Sequence, residues 1–273
     1  MKKVACIYHF FENDIEQLEN LKYFLAKGIS PDIEYFFLLA SRPEIEFPTL
    51  ANLKLFDIPN KSYDVGGYQA GFKIISEQGD WDYVFFLNSG VLGPILPGYT
   101  TTPWYELFIS KLNSETKIVG TTVNLLPNVG NSYPTLKAVI DQSDFRDVID
   151  QNFSAHIQTM FFCISGDALD YVASKGLFDQ VFSQEKLSII ANFELLLSQL
   201  LLRNGWNLSC IQKEYDNFDF RNITVDPNFS ARNGDPYYPQ AYFGRSVNPW
   251  DVIFFKTTRG LLHPAQLKYL RSI

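Results

Sequence analysis

The sequence predicts an α/β fold with a Rossmann-like, mostly parallel central sheet flanked by helices, and three observations predict it. Residues 4–9 and 83–87 are apolar throughout, as strands buried on both faces are. Between such runs lie segments with apolar residues at helical spacing, and strands that alternate with helices build βαβ units. The 273 residues, 46% apolar and only 19% charged, suffice for a large core, which excludes disorder and fits a single domain over 1–273.

The elements follow in order. The run 4–9 is a strand, and Leu18, Leu21, Phe24 and Leu25 mark an amphipathic helix that closes at Lys27-Gly28. Residues 33–40 and 53–58 read as two further strands. Asp64-Val65-Gly66-Gly67 precedes a helix over 68–78, and 83–87 is the fourth strand. In the second half, 104–112 reads as a helix, 117–123 as a strand and 127–133 as a polar loop. Residues 156–164 read as one strand, 167–175 and 189–204 as helices, and 207–212 as a strand. Residues 218–244, rich in Asn, Asp, Gly, Pro and Tyr, show no periodicity, and a loop of that length is usually functional or mobile. The chain then predicts a strand over 250–256 and a short basic helix over 264–271.

Charge narrows the partners. With 23 basic and 30 acidic side chains the net charge is −7, so the chain has no long-range attraction for nucleic acid or an anionic membrane. A phosphate has to be held by a few local cations, and Lys256, Arg259, Lys268 and Arg271, with Arg245 on the same approach, are expected to supply them. Cys6, Cys163 and Cys210 are too few and too scattered for a disulfide framework or a CxxC metal site, and each reads as a small buried hydrophobe in a reducing compartment. The N-terminal apolar run is too short for a secretory signal, and no stretch reaches the roughly 18 apolar residues of a membrane span. A cytoplasmic protein without an integral membrane segment is expected.

Ligands of parallel sheets bind outside the carboxyl ends of the strands, so the residues leaving the strands are the ones to inspect. Tyr8-His9 leave the first, Asp64 follows the third, and Asn88-Ser89-Gly90 leave the fourth. The triplet reads either as an ordinary turn or as a holder of a metal–diphosphate headgroup through side-chain oxygens. Asp64 with Gly66-Gly67 reads either as a helix cap with packing glycines or as a ribose and anion site. These glycines are not a dinucleotide fingerprint, because they do not follow the first strand. His156, Gln158 and Met160 would share one face of an extended strand. Glu194, among leucines, is either the polar stripe of a helix or a buried carboxylate fit for general-base work. His263 and the nearby Lys256 and Arg259 form either a solvated tail or a phosphate contact.

Across nearly the whole chain, the NSGVLGP, HIQTM and NPWDVIFFK segments at 88–94, 156–160 and 248–256 carry a resemblance to GT-A-type glycosyltransferases of the rhamnan-synthesis-like group, with relatives in bacteria and large DNA viruses. The resemblance implies a GT-A-like domain with a nucleotide-binding half (1–125) and a mixed acceptor-side half (126–273). It implies polysaccharide biosynthesis: transfer of a sugar from a nucleotide-diphosphate sugar to a hydroxyl of a glycan acceptor, often with a divalent metal, Mn²⁺ or Mg²⁺. Tyr8, His9, Asp64, Gly66, Asn88, Ser89, Gly90, Gln158, Lys256 and Arg259 would bind the donor. Asn88 and His263 would touch the metal, and Glu194, with His156 beside it, would be the catalytic base of an inverting reaction. The triplet departs from the family's Asp-X-Asp in having no carboxylate. The competing expectation is a carbohydrate-binding protein without turnover, in which exposed Tyr237, Tyr238 and Tyr242 stack on sugars. An epimerase or oxidoreductase is disfavoured by the missing Gly-rich turn after the first strand.

Overall fold

Strand β1 (Val4–Phe10) is buried along its whole length and leads to α1 (Ile15–Lys27), where Asp14 and Gln17 form a capping box. Strands β2 (Glu34–Leu39) and β3 (Leu53–Asp57) extend the sheet on one side of β1; helix α2 (Tyr63–Ser76) then carries the chain back, and β4 (Tyr83–Asn88) pairs with the other side of β1. The chain continues through β5 (Val91–Leu92), α3 (Trp104–Ile109), β6 (Thr116–Gly120), β7 (Val123–Pro127), α4 (Val129–Ser132), α5 (Pro134–Asp141), β8 (Phe153–Ile157), β9 (Phe161–Ser165) and α6 (Gly166–Ser174). A continuous helical run follows, made of α7 (Lys186–Ile189), a π-helical segment (Ile190–Leu195) and α8 (Leu196–Arg203). Strand β10 (Asn207–Cys210), α9 (Pro249–Val252), β11 (Phe255–Lys256) and α10 (Pro264–Ser272) complete the chain. This computed structural model describes residues 2–182 and 185–273.

The central sheet has seven strands in the order β10-β6-β9-β4-β1-β2-β3, parallel except that β9 runs antiparallel to both its neighbours. Two small antiparallel pairs, β5 with β11 and β7 with β8, stand beside it. From β1 the chain first builds towards β3 and only then crosses to β4. The gap between β1 and β4 is therefore the topological switch point, where a parallel sheet opens a crevice at its carboxyl ends.

Side-chain alternation divides the aromatic core between the two faces of the sheet. Phe85 of β4 faces Trp104 at 5.0 Å between ring centres, and on the same face Phe24 of α1 meets Tyr8 at 5.0 Å. The next residue, Phe86, stacks on Phe162 at 4.8 Å and meets Tyr68 of α2 edge-on at 5.3 Å. Cys6, Cys163 and Cys210 are buried and unpaired, as expected from their apolar settings.

Several elements differ from expectation. Helix α2 begins at Tyr63, so Gly66, Gly67 and Gly71 lie inside it. They serve close approach: a Cβ on Gly71 would come within 2.5 Å of Ile7, and one on Gly67 within 2.2 Å of the His9 ring. The strand expected over 156–164 is two strands, β8 and β9, broken at Gln158-Thr159-Met160. The strand expected over 250–256 is helix α9 followed by β11. Asn248 caps Trp250 N–H at 3.1 Å, and Pro249 occupies the first helical turn, where its missing N–H costs nothing. Helix α5 was not expected, although Pro134 sits at its start and Leu136 and Ile140 are buried one turn apart.

Because α2 packs on β1 through glycine, Gly71→Ala should destabilise the protein by about 1–3 kcal/mol in urea unfolding. Gly98→Ala, at a position where a Cβ would meet nothing within 4 Å, should leave the midpoint nearly unchanged.

Candidate functional site

At the switch point β1 and β4 end level with each other, because His9 is the register partner of Asn88. Their ends form the floor of a cleft of about 730 Å³ that is walled by α2, the 158–160 turn, the π-helical segment, the 232–238 loop and β11. Four cations, Lys186, Arg232, Lys256 and Arg259, and three carboxylates, Asp64, Glu194 and Asp235, line it. In a chain of net charge −7 the cleft is a local reversal of sign.

The floor is cross-linked. Asn88 donates from Nδ2 to Asp64 at 2.7 Å and accepts Gly90 N–H on Oδ1 at 2.9 Å. Ser89 Oγ donates to the Phe11 carbonyl at 3.0 Å, which ties the β4 exit to the β1 exit. Beneath, the fully buried Asn20 of α1 donates to the Ser89 carbonyl at 2.9 Å and to Thr257 Oγ1 at 3.0 Å, and it accepts from Arg271 at 2.9 Å. Burial raises the pKa of Asp64, and the Asn88 hydrogen bond offsets part of the rise. His9 is buried against α2, and desolvation pushes its pKa down from 6.5 to about 4, so it is neutral at pH 7.

Glu194 enters from the π-helical segment, an irregularity that often marks functional positions in helices. Its Oε2 accepts from Thr159 N–H at 3.0 Å and from Thr159 Oγ1 at 2.9 Å, while Oε1 lies 3.8 Å from His156 Nε2. The carboxylate is one-fifth exposed, and the buried imidazole beside it has its pKa lowered chiefly by desolvation. In the same lining, the half-buried Lys256 makes no ion pair among the described residues. Burial lowers its pKa, and the fields of Glu194, Asp235 and Asp64 act against that fall. A γ-turn delivers this lysine. Ile253 has φ 63° and ψ −46°, with Phe254 N–H bonded to the Val252 carbonyl at 2.6 Å, a strained geometry for a β-branched residue. It turns β11 back alongside β5, with Lys256 paired to Val91.

Most of the expected residues line this one cleft: His9, Asp64, Asn88, Ser89, Gly90, His156, Gln158, Glu194, Lys256 and Arg259. Three do not. Tyr8 points to the opposite face of β1 from His9 and is buried between Phe24 and Phe37, each 5.0 Å from its ring. Gly66 is inside α2, its N–H bonded to the Ser62 carbonyl at 3.3 Å. His263 caps α10, accepting Ala265 N–H on Nδ1 at 3.2 Å. Of the metal pair expected from the resemblance, Asn88 lies in the floor, where its Oδ1 accepts one N–H and keeps a second lone pair, and His263 lies outside the lining. Among the described residues no group of three or more His, Cys, Asp or Glu is placed to hold a metal ion. Of the outlying cations, Arg245 pairs with Glu214 and Asp251, Arg271 with Glu16, and Lys268 is not part of the lining. Tyr237 and Tyr242 are fully buried, and only the half-buried Tyr238 reaches the cleft.

Sequence reading missed Tyr63, Asn124, Arg232 and Asp235. A signal existed for the last two. Asn233-Gly234 is the dipeptide of a type I′ turn, with φ of 53° and 71°, and it brings Arg232 and Asp235 side by side in a two-residue hairpin. Gly234 seats this turn on β7: its carbonyl accepts Leu125 N–H at 3.2 Å, and a Cβ there would come within 2.2 Å of the Leu125 carbonyl. Tyr63 and Asn124 carry no local signal.

Because His9 is held neutral in the fold, the unfolded chain binds more protons between about pH 4 and 6.5. Stability should rise with pH across that window, by about 3 kcal/mol from this group, and His9→Asn should flatten the slope in denaturant midpoints measured from pH 4 to 7. Asn20→Ala removes three hydrogen bonds, to the Ser89 carbonyl, Thr257 and Arg271, and should cost about 1–3 kcal/mol in the same measurement. Neither a protein-family model nor a curated protein matches this sequence.

Proposed function

We propose that the cleft is the active site of an inverting glycosyltransferase that moves a sugar from a nucleotide-diphosphate donor to a hydroxyl of a glycan acceptor. The observation that carries this reading is a hydrogen-bonded carboxylate, Glu194, and a lysine, Lys256, that makes no ion pair among the described residues, both lining one cleft at the switch point of the sheet. Such a pair supplies a proton acceptor and a holder of leaving-group charge, the two things that displacement of a diphosphate requires.

In this reading the nucleoside lies over the ends of β1 and β4. Tyr63, with its ring exposed at the cleft wall, offers the base a stacking face in place of Tyr8, and Asp64 and Asn60 face the ribose. The diphosphate meets Lys256 and Arg259. The acceptor oxygen attacks the anomeric carbon as the bond from that carbon to the phosphate oxygen breaks, with its electron pair passing to the diphosphate. The acceptor proton goes to Glu194. Thr159 holds Oε2 of that carboxylate, which leaves Oε1, the oxygen beside His156, to take the proton. His156 is kept neutral by burial and orients the acceptor hydroxyl. No step is assigned to a divalent metal.

Thermal-shift and calorimetric titration with UDP, GDP and dTDP, with and without Mn²⁺, tests the donor site. One of the three should stabilise the protein, and Lys256→Met should weaken its binding by about 10–100-fold. Glu194→Gln should abolish sugar transfer while leaving donor affinity within a few-fold. Failure of all three nucleotides to bind sinks the transferase reading, and turnover retained by Glu194→Gln sinks the assigned base.

A further inference from the structure

Arg232, Tyr238 and Asn124, all in the lining of the cleft, are not used by the transfer step. The guanidinium groups of Arg232 and Arg259 each lie 5.0 Å from the centre of one ring, that of Tyr238. Only one of the two is neutralised. Arg259 donates to Asp235 at 2.6 Å and to the Tyr238 hydroxyl at 3.2 Å, and Asp235 is completed by Tyr237 N–H at 2.8 Å and Gln158 at 3.3 Å. The Arg232 side chain makes no ion pair or hydrogen bond among the described residues, although the Asn233-Gly234 turn fixes its backbone and the Tyr238 ring holds its head group. Two like charges against one ring repel, and an anion seated beside Arg232 relieves that repulsion.

A second observation lies next to it. Asn124 on β7, opposite His156 across the β7–β8 pair, is 94% withdrawn from solvent (6% exposed), and its carbonyl oxygen is buried without a hydrogen-bond partner. It lines the same cleft, where a sugar hydroxyl would supply the missing donor. A charged guanidinium and an unmatched amide on neighbouring supports select a ligand with an anionic group and hydroxyls on one ring.

We propose that the acceptor unit bound in the cleft is an acidic sugar, carrying a carboxylate or a phosphate that Arg232 grips over Tyr238 while Asn124 reads one of its hydroxyls. This rests on the transferase reading for the word acceptor, but the binding claim is independent of it.

The test is calorimetric titration of the full chain at low salt with glucuronate, glucose 6-phosphate and glucose. Either acidic probe should bind at least about tenfold more tightly than glucose, and which of them does so identifies the anion as carboxylate or phosphate. Arg232→Ala should lower that probe to the affinity of glucose, and Arg232→Lys should keep part of the preference. Asn124→Ala should weaken all three sugars alike. Arg232 is exposed, so its variants should melt with the parent. The proposal is overturned if neither acidic sugar is preferred, or if the preference survives Arg232→Ala. Nucleotide binding without acid preference defeats this inference and leaves the transferase reading standing. Acid preference without nucleotide binding does the reverse.

Discussion

Two parallel strands with buried interiors, β1 and β4, stop together, and the level at which they stop sets the floor of the cleft. Their register pairs His9 with Asn88, and the connections on either side of the pair run in opposite directions, so nothing covers their ends. The polar groups that gather there are needed first to finish the sheet. Asn88 closes onto Asp64 and Gly90, Ser89 onto Phe11, and Asn20 holds the underside from α1. The floor is rigid because these groups satisfy one another, and that rigidity is what a binding site on strand ends requires.

The remaining functional side chains are brought to this floor by irregular backbone rather than by regular elements. A γ-turn at Ile253 aims Lys256, a π-helical segment aims Glu194, the break between β8 and β9 places Thr159 under that carboxylate, and a type I′ turn presents Arg232 and Asp235. Each device is held by specific contacts to neighbouring structure. The outcome is a cleft in which four cations stand against three carboxylates in an otherwise acidic chain. A small anion is attracted locally, while a polyanion meets net repulsion from the rest of the surface.

Much of this was legible residue by residue. The apolar runs of β1 and β4 announced strands buried on both sides, and the polar residues leaving them, His9 and Asn88 to Gly90, do line the cleft. The signal failed where one residue's setting depends on a distant partner. Tyr8 and His9 are neighbours with similar polarity, yet the pleat sends one into the aromatic layer and the other to the cleft. Gly66 and Gly67 read equally as packing glycines or as an anion site; Gly67 packs α2 against His9 of β1, while Gly66 sits against the Lys61 carbonyl. The cations near the C-terminus look equivalent in sequence, but Arg271 is tied to α1 while Lys256 lines the cleft with no ion pair among the described residues.

Hydrophobic pattern and turn chemistry act over a few residues, so the sequence by itself determined the kinds of elements, their approximate order and the switch from strand to polar loop at each carboxyl end. Only the tertiary structure decided which polar groups are consumed in holding the fold and which are left for a ligand. That distinction depends on hydrogen bonds and ion pairs between residues up to 255 positions apart, as in Arg271 with Glu16, and no local pattern encodes them.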